Sequence, residues 1–271
     1  MEPTSAVEEH ALPFASRKAE DTPGHWLLAR LGKTVLRPGG RHLTEKLVAA
    51  VPVSGSDVVE IAPGIGLTAR LLVDQKPSSY VGIEDDPNAA QLTADVLAGR
   101  GEVINTNAKQ TSLESNSKDL ALGEAMLTMQ TDKSKDEIVT EVARVLRPGG
   151  RYAIHELALV PDEINEEIAT ELRRDLARSI KVNARPLTIG EWKDLMVRNG
   201  LVVETVLTAP MSLLKVRRVI ADEGIRGTLR IGRNFLRDKD ARKRVIIMWK
   251  TFHKHRRSMK AVALVATKPA T

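Results

Sequence analysis

The residues best placed to do chemistry lie between Glu60 and Gly66, where the chain reads E-I-A-P-G-I-G. Gly64 and Gly66 allow the backbone to turn sharply and to approach a ligand closely. A helix is expected from Leu67 to about Gln75, and its first turn would present N–H groups without partners. The segment therefore predicts a ligand-binding turn between a strand and a helix.

The type of ligand is indicated by Glu60. With Ala69, the glycines also match G-x-G-x-x-A, a form of the dinucleotide fingerprint. A dinucleotide would bring a doubly negative pyrophosphate to this turn, and the carboxylate of Glu60 would repel it. S-adenosylmethionine (SAM) has no phosphate, and its α-ammonium and sulfonium groups suit an acidic neighbour. The residues favour SAM, and an NAD-dependent oxidoreductase remains an alternative.

A second acidic candidate, Glu84, stands 18 residues after Gly66, at the expected end of the next strand. A carboxylate in this position can accept hydrogen bonds from both ribose hydroxyls of a bound nucleoside. Any adenosine cofactor would gain from it. Glu84 therefore supports the pocket without choosing between ligands.

The elements that must position these residues are five short apolar runs, which alternate with helical segments. The repeating pattern predicts a parallel sheet with right-handed crossovers. Asp86 and Pro87 suit a helix start, and both Ser134 to Glu137 and Thr188 to Glu191 have capping-box spacing. The five expected strands are Asp57–Ala62, Tyr80–Glu84, Glu102–Asn105, Asp119–Leu122 and Arg151–His155.

The chain divides into three parts by its patterning. Residues 1–24 are polar, contain three prolines, and are expected to be flexible. Residues 25–54 predict a helical flap with helices over 26–36 and 44–50. Residues 55–271 are expected to form the catalytic domain, with helical insertions at about 161–185 and 211–260.

The stretch from about Asp57 to Glu156 resembles the class I SAM-dependent methyltransferases. It is most similar to the small-molecule type that includes the ubiquinone and menaquinone biosynthesis enzymes. The resemblance implies an α/β, Rossmann-like, doubly wound sheet of seven strands, the last of them antiparallel. It also implies that Leu201–Leu207 and Ala261–Thr267 are strands six and seven.

The same resemblance assigns the cofactor site. Glu60, Gly64 and Gly66 match the glycine-rich motif around the methionine moiety of SAM, and Glu84 matches the ribose-binding acid. Asn107 and Ala108 fall where the family often has Asp-Ala beside the adenine amino group; the Asn107 carbonyl can still accept a hydrogen bond. The two residues before Gly64 depart from the family's usual Gly-Cys or Gly-Ser, and are Ala62 and Pro63.

Catalytic residues are expected beyond the carboxyl ends of the strands, where ligands of open α/β sheets bind. This rule nominates Glu124 after strand four and His155 after strand five as catalytic, with His155 as general base because imidazoles titrate near neutral pH. Glu156 and, on the flap, His25 are predicted to bind the substrate. The alternatives are a structural histidine and loop acids. Alignment of acceptor and methyl group supplies much of the rate, so few catalytic groups are needed.

Several classes of function are excluded or disfavoured. The chain has no cysteine, which excludes disulfides, thiolate metal sites and cysteine nucleophiles. No Asn/Asp-Pro-Pro-aromatic string follows strand four, where Gly123–Met126 stands instead, and this disfavours methylation of nucleic-acid base amines. The acidic N-terminus lacks an apolar signal region, and no stretch is apolar for long enough to span a bilayer. We expect a soluble, cytoplasmic enzyme that uses no metal.

The basic residues are concentrated in one segment. Residues 211–260 hold 16 of the 41 Lys and Arg residues but only 4 of the 35 acidic ones. Four interpretations compete: a cap over an acidic or lipid-like small-molecule acceptor, an anionic membrane contact, an RNA-binding surface, and a solvated helix face. The cap is favoured, and RNA is disfavoured because stacking aromatics are scarce. A non-catalytic SAM-binding or RNA-binding module is the alternative function, and the acceptor and oligomeric state are not predicted.

Overall fold

The computed structural model describes residues 11–270, which form one sheet with helices on both faces. The strands are β1 (Asp57–Ile61), β2 (Ser79–Glu84), β3 (Glu102–Asn105), β4 (Lys118–Glu124), β5 (Leu146–Leu159), β6 (Leu187–Thr188), β7 (Val202–Pro210) and β8 (Met259–Thr267). The helices are α1 (Gly24–Arg30), α2 (Gly40–Ala49), α3 (Leu67–Val73), α4 (Pro87–Leu97), α5 (Asp132–Val145), α6 (Glu166–Ile180), α7 (Ile189–Arg198), α8 (Val216–Arg237) and α9 (Lys239–Lys254).

The sheet has the order β3-β2-β1-β4-β5-β8-β7, and the two-residue β6 pairs with β5 beside this path. Strands β1 to β5 are parallel, while β8 runs antiparallel to both β5 and β7. The predicted doubly wound, Rossmann-like sheet with seven main strands and an antiparallel last strand is confirmed. The strand order reverses between β1 and β4, and ligands of such sheets bind at the carboxyl ends of the strands beside that point.

Both faces of the sheet are covered because the central strands are apolar on both sides. On β1, Val59 packs with α5 and α7, whereas Val58 packs with α2 and α3. Successive side chains of a strand point to opposite faces, so one apolar run supplies both cores. Of the charged residues on β1, Glu60 is the one that is buried, with 3% of its surface exposed.

The flap differs from its prediction at one helix. The helix expected over 26–36 ends at Arg30, because Gly32 adopts a left-handed φ of +96° and turns the chain away. Residues 11–23 form turns, and the buried Arg244 of α9 donates hydrogen bonds to the carbonyls of Ala19 and Glu20. Residues 1–10 lie outside the described residues, and the flexibility of 1–24 stays a prediction.

The helix caps are confirmed in two cases and wrong in one. Asp86 accepts hydrogen bonds from the first turn of α4, and Thr188 closes a capping box with Glu191. The predicted cap at Ser134 is wrong, because α5 begins earlier and is capped by Thr131.

Helices occupy the two ranges for which insertions are expected, about 161–185 and 211–260, and the division of the chain into domains stays a prediction. The first holds α6, and the second holds α8 and α9, with a break in helical geometry at Gly224, whose φ is +69°. None of the helices described here has both the length and the apolar character of a bilayer-spanning segment.

Candidate active site

A cavity of about 300 Å³ opens at the carboxyl ends of β1, β2 and β4, beside the glycine turn. Its floor is formed by the sheet edge and its outer wall by the flap. The acids Glu60, Glu84 and Glu124 line the floor, while His25, Trp26 and Arg37 line it from the flap. Asn107 and Ala108 also line it, so the cavity brings together every cofactor residue predicted from the sequence except Gly66, which lies in the adjoining turn.

The glycine turn has the backbone geometry that its residues predict. Gly64 and Gly66 have φ values of +65° and +74°, and a Cβ on Gly66 would lie 3.0 Å from the Cβ of Val96. Ala62 also has a positive φ, +54°, which an L side chain rarely adopts. The Gly64 N–H donates to Glu84 Oε2 at 2.9 Å, so the turn and the second acid form one unit.

Burial dominates the environment of Glu60. Its Oε2 accepts a hydrogen bond from the Tyr80 hydroxyl at 2.7 Å. Burial raises the pKa of Glu60 to about 8; the Tyr80 bond opposes the rise, and the nearby Glu124 adds to it. No basic side chain of the described residues forms an ion pair with Glu60, so this site has room for a cationic ligand group.

Burial also shifts the pKa of Glu84, but by less than that of Glu60. Burial raises its pKa to about 7, while the N–H groups of Gly64 and Asp86, which donate to its two oxygens, lower it. Each oxygen keeps a lone pair free. Glu84 can therefore still accept hydrogen bonds from two ligand hydroxyls.

Glu124 is saturated with protein partners. Thr44 Oγ1 and His155 Nδ1 contact Oε1, and Thr68 Oγ1 and Arg37 Nε contact Oε2, the last at 2.6 Å. Burial raises the pKa of Glu124, but Arg37 and His155 outweigh it and hold the value at about 2. Two carboxylate oxygens offer about four acceptor positions, and all four are occupied.

His155 lies beneath the cavity rather than in it. Its ring is fully buried, and its Nε2 accepts from the Gly39 N–H at 3.0 Å. A backbone N–H can only donate, so Nε2 carries no proton and Nδ1 donates to Glu124 at 2.9 Å. With both nitrogens engaged, this geometry gives His155 a place in holding the flap and no free position for a substrate proton.

Glu156 is also directed into the protein. Both of its oxygens accept hydrogen bonds from the loop after β4, from the N–H groups of Met126, Leu127 and Thr128 and from the Thr128 hydroxyl. It is fully buried and does not line the cavity. The predicted contact with substrate does not occur in this geometry, and Glu156 instead shapes the loop that carries Met126 into the cavity wall.

His25 is the histidine that does face the cavity. Its ring lies 5.0 Å from that of Trp26, and no hydrogen-bond partner is present for it among residues 11–270. Burial lowers its pKa to about 4. His25 is therefore a neutral imidazole at neutral pH with both nitrogens free.

Asn107 and Ala108 lie where an adenine would be expected. Asn107 Oδ1 accepts from the Lys109 N–H at 2.9 Å and keeps one lone pair, and its amide NH₂ is free to donate. Ala108 is partly buried against the core.

Sequence reasoning missed Arg37, Thr44 and Thr68, the partners of Glu124. No spacing in the sequence links Arg37 to Glu124, 87 positions away. Among residues 11–270 no three His, Asp or Glu side chains could share a metal ion. The absence of a metal from the reaction stays a prediction.

Comparisons with known proteins agree with this geometry. Residues 59–154 match the family described as methyltransferase domain. An uncharacterised protein of Haemophilus influenzae is 34% identical over 256 residues, which span 92% of this chain and 100% of the relative.

Two solved structures have the same fold. One is phosphoethanolamine N-methyltransferase 2 of Haemonchus contortus in complex with SAM, with a TM-score of 0.69 and 16% identity over 95% of this chain and 59% of that one. The other is geranyl diphosphate C-methyltransferase of Streptomyces coelicolor A3(2), with a TM-score of 0.61 and 15% identity over 84% of this chain and 78% of that one.

The sheet order and the glycine–acid turn define a Rossmann-like α/β fold with a cavity at the carboxyl ends of its central strands. The chain carries a methyltransferase domain over residues 59–154 and has the fold of the class I SAM-dependent methyltransferases. The predictions of family, fold, enzyme class and cofactor are confirmed.

Proposed function

We propose that the enzyme methylates a small molecule that carries no negative charge and binds between the flap and the loop after β4. The observation that carries the proposal is the lack of a free cation in the cavity: five carboxyl side chains line it, and Arg37, the one Lys or Arg of residues 11–270 that lines it, is paired with Glu124. An anionic acceptor would be desolvated beside these carboxyl groups without a free cation. The acidic acceptor considered from the sequence is therefore not favoured.

The residues on the cavity floor fit SAM in their chemistry. Glu60 would bind the α-ammonium group, Glu84 the ribose hydroxyls, and Asn107 with Ala108 the adenine. Gly64 and Gly66 would allow the backbone to approach the methionine moiety. When bound, SAM supplies a methyl group on a cationic sulfur; the protein's own residues bind it, exclude water and align the acceptor.

We propose His25 as the residue that contacts the acceptor. It is neutral, unpartnered and turned to the cavity, and an imidazole nitrogen can accept a hydrogen bond or a proton from a hydroxyl or amine. The role in proton transfer that the sequence suggested for His155 is better suited to His25, and His155 and Glu124 hold the flap in place. His25 lies in residues 25–54, so the flap, together with the catalytic domain of 55–271, completes the site.

Calorimetry with S-adenosylhomocysteine (SAH) tests the cofactor site. Saturable binding is expected, and Glu60→Ala should weaken it by at least about tenfold, because an ammonium partner inside a cavity is lost. Glu204→Ala, at an exposed ion pair on β7, is the matched control and should bind as the wild type does. NADH should give no saturation; saturation by NADH and not by SAH would contradict the assignment.

Transfer from labelled SAM to a panel of neutral phenols, alcohols and amines, with carboxylates and phosphates in parallel, tests the acceptor. Neutral acceptors should be turned over, and His25→Gln should lower kcat/KM for them by about 10²-fold while SAH affinity is kept. Turnover confined to the anionic compounds would contradict the proposed acceptor. SAH binding with no turnover across the panel would instead favour a non-catalytic SAM-binding module.

The cytoplasmic location is kept as part of the proposal. Its support is the complete absence of cysteine, which suits a reducing compartment.

A further inference from the structure

The outer side of α8 exposes aliphatic side chains to an extent found nowhere else in the described part of the chain. Ile225, Leu229 and Leu236 have 73%, 68% and 68% of their surfaces exposed. Of the eleven exposed large apolar residues in 11–270, eight lie on α8 and α9. Exposed apolar surface that is clustered in this way marks an interaction site.

These side chains form a stripe, and arginines form a second stripe beside it. Successive turns of a helix bring positions three and four apart onto one line. The apolar stripe consists of Ile225, Leu229, Gly232 and Leu236, and the basic stripe consists of Arg226, Arg233 and Arg237. We call these seven residues the α8 face.

The opposite side of α8 is fastened to the flap. Glu223 accepts hydrogen bonds from the N–H groups of Thr34 and Val35, both at 2.9 Å. Asn234 Nδ2 donates to the Leu31 carbonyl, and Arg230 donates to that of Gly32. The helix is therefore built into the protein with its orientation fixed, and the α8 face points away from it.

The α8 face does not serve the cavity. No residue of 211–260 lines the cavity. The segment therefore does not form the predicted cap, whose apolar stripe would have faced the substrate. Arg226, Arg233 and Arg237 are exposed and form no ion pair with any other residue of 11–270. The face therefore combines unshielded positive charge with unshielded aliphatic surface.

We propose that the α8 face docks the enzyme on an anionic lipid bilayer. Aliphatic side chains enter the boundary between headgroups and acyl chains, while adjacent arginines extend their charged ends to the lipid phosphates. The charge complementarity favours this partner over a second copy, because two copies meeting face to face would oppose their arginines. Nucleic acid would satisfy the arginines but leave the aliphatic stripe in water.

Cosedimentation with vesicles of equal parts phosphatidylglycerol and phosphatidylcholine, at low salt, tests the docking. The full-length protein should pellet with these vesicles, should be released by high salt, and should stay in solution with phosphatidylcholine alone. The double variant Leu229→Ser, Leu236→Ser should weaken binding by at least about tenfold, because it removes the buried aliphatic area. Arg226→Gln with Arg233→Gln should weaken it to a similar degree.

Matched controls come from other surfaces. Val197→Ser removes an aliphatic side chain that is 59% exposed on α7, and Lys46→Gln with Lys193→Gln removes the same charge as the arginine pair. These variants should pellet as the wild type does. All variants should bind SAH unchanged, because none alters the cavity, so a failure of docking is separate from a failure of the methyltransferase assignment.

Three results would overturn the proposal. The first is no binding of the wild type to anionic vesicles at low salt. The second is equal loss of binding in the control variants, which would make the attraction a property of net charge alone. The third is tight binding of a single-stranded RNA that the Leu229→Ser, Leu236→Ser variant retains while vesicles do not compete for the protein; this would assign the arginines to nucleic acid.

Discussion

The cavity environment raises the pKa values of Glu60 and Glu84 but lowers that of Glu124. The hydrogen-bond and ion-pair partners of the three carboxyl groups explain the difference. Glu60 and Glu84 accept hydrogen bonds only from neutral groups, so burial raises the pKa to about 8 and about 7. Glu124 is just as buried, but Arg37 holds its pKa at about 2. The negative charge of Glu124 is thus already neutralised by Arg37, and negative charge becomes available to a ligand only when Glu60 and Glu84 lose their protons.

This arrangement predicts pH-dependent cofactor binding. A cation binds the carboxylate, so below about pH 8 binding must first remove the proton from Glu60. SAH affinity, measured by calorimetry, should therefore rise between pH 6 and 7.5, by at most about tenfold per pH unit from Glu60. Calorimetry in buffers of different ionisation enthalpy should detect the released proton.

Glu60→Gln provides the control for this prediction. The variant cannot ionise at position 60, so its weaker binding should keep only the smaller dependence due to Glu84, whose pKa is about 7. A steep rise in affinity that survives in the variant would place the titrating group elsewhere.

The sequence predicted the residues of this site that are local and missed those that are not. Glu60, Gly64 and Gly66 lie within seven positions, and their types define the turn. The Glu124 network joins residues 37, 44, 68 and 155, and only the folded chain brings these together. The same limit explains His155, whose place at a strand end suits a catalytic residue while its burial is a property of the tertiary structure.

At the level of elements, Glu124 connects the flap to the sheet. Arg37 and Thr44 come from the flap, Thr68 from α3 and His155 from β5, and all four contact the carboxylate at the end of β4. The flap is therefore held at the cavity mouth by buried polar bonds in addition to apolar packing. Its position depends on a charge that the sheet supplies.

Removal of that charge should be costly. Glu124→Gln leaves the guanidinium of Arg37 buried without a counter-charge, and we expect a loss of about 3 kcal/mol in the free energy of unfolding. Glu204→Gln, which breaks the exposed pair with Arg151, should cost at most about 1 kcal/mol. Urea denaturation monitored by circular dichroism measures both; equal effects would mean that the Glu124 network contributes little.

The elements themselves were largely predictable because strand and helix patterns are local. Asp86 and Thr188 carry cap chemistry in their own side chains and were placed correctly. The α5 start was misplaced because Thr131 caps as well as Ser134 would. The length of β5 was underestimated: its end, Leu157 to Leu159, is strand because β8 and β6 pair with it, and no local pattern reports a distant partner.

For the whole molecule, the titrating groups predict a ligand-free protein that becomes less stable from pH 6.5 to 8. Glu60 and Glu84 keep their protons in the folded state up to about pH 8 and 7, whereas in the unfolded chain they lose them near 4.5. The folded state thus binds more protons in this range, so its stability falls as the pH rises. Below pH 6.5 the unfolded chain instead gains a proton at His25, whose pKa in the fold is about 4, and this opposes the trend.

At acid pH the stability of the folded protein changes with pH in the opposite direction: it falls as the pH falls. The pKa values of Glu124 and Glu141 are held at about 2, so their contribution to stability is present above 4.5 and is lost as the pH falls toward 2. Thermal unfolding from pH 3 to 8 should therefore give a maximum between about pH 5 and 6.5. Excess SAH should restore the melting temperature most at pH 8; a ligand-free optimum at pH 8 would contradict the raised pKa values.

The place of β8 in the sheet has a consequence for biosynthesis. In the described structure β7 pairs only with β8, and β8 separates it from β5. During translation, β7 leaves the ribosome about fifty residues before the strand that joins it to the sheet. The edge of β5 that pairs with β8 therefore stays unpaired in the nascent chain until β8 has emerged. Helices α8 and α9 are synthesised during that interval, before β8 can complete the sheet.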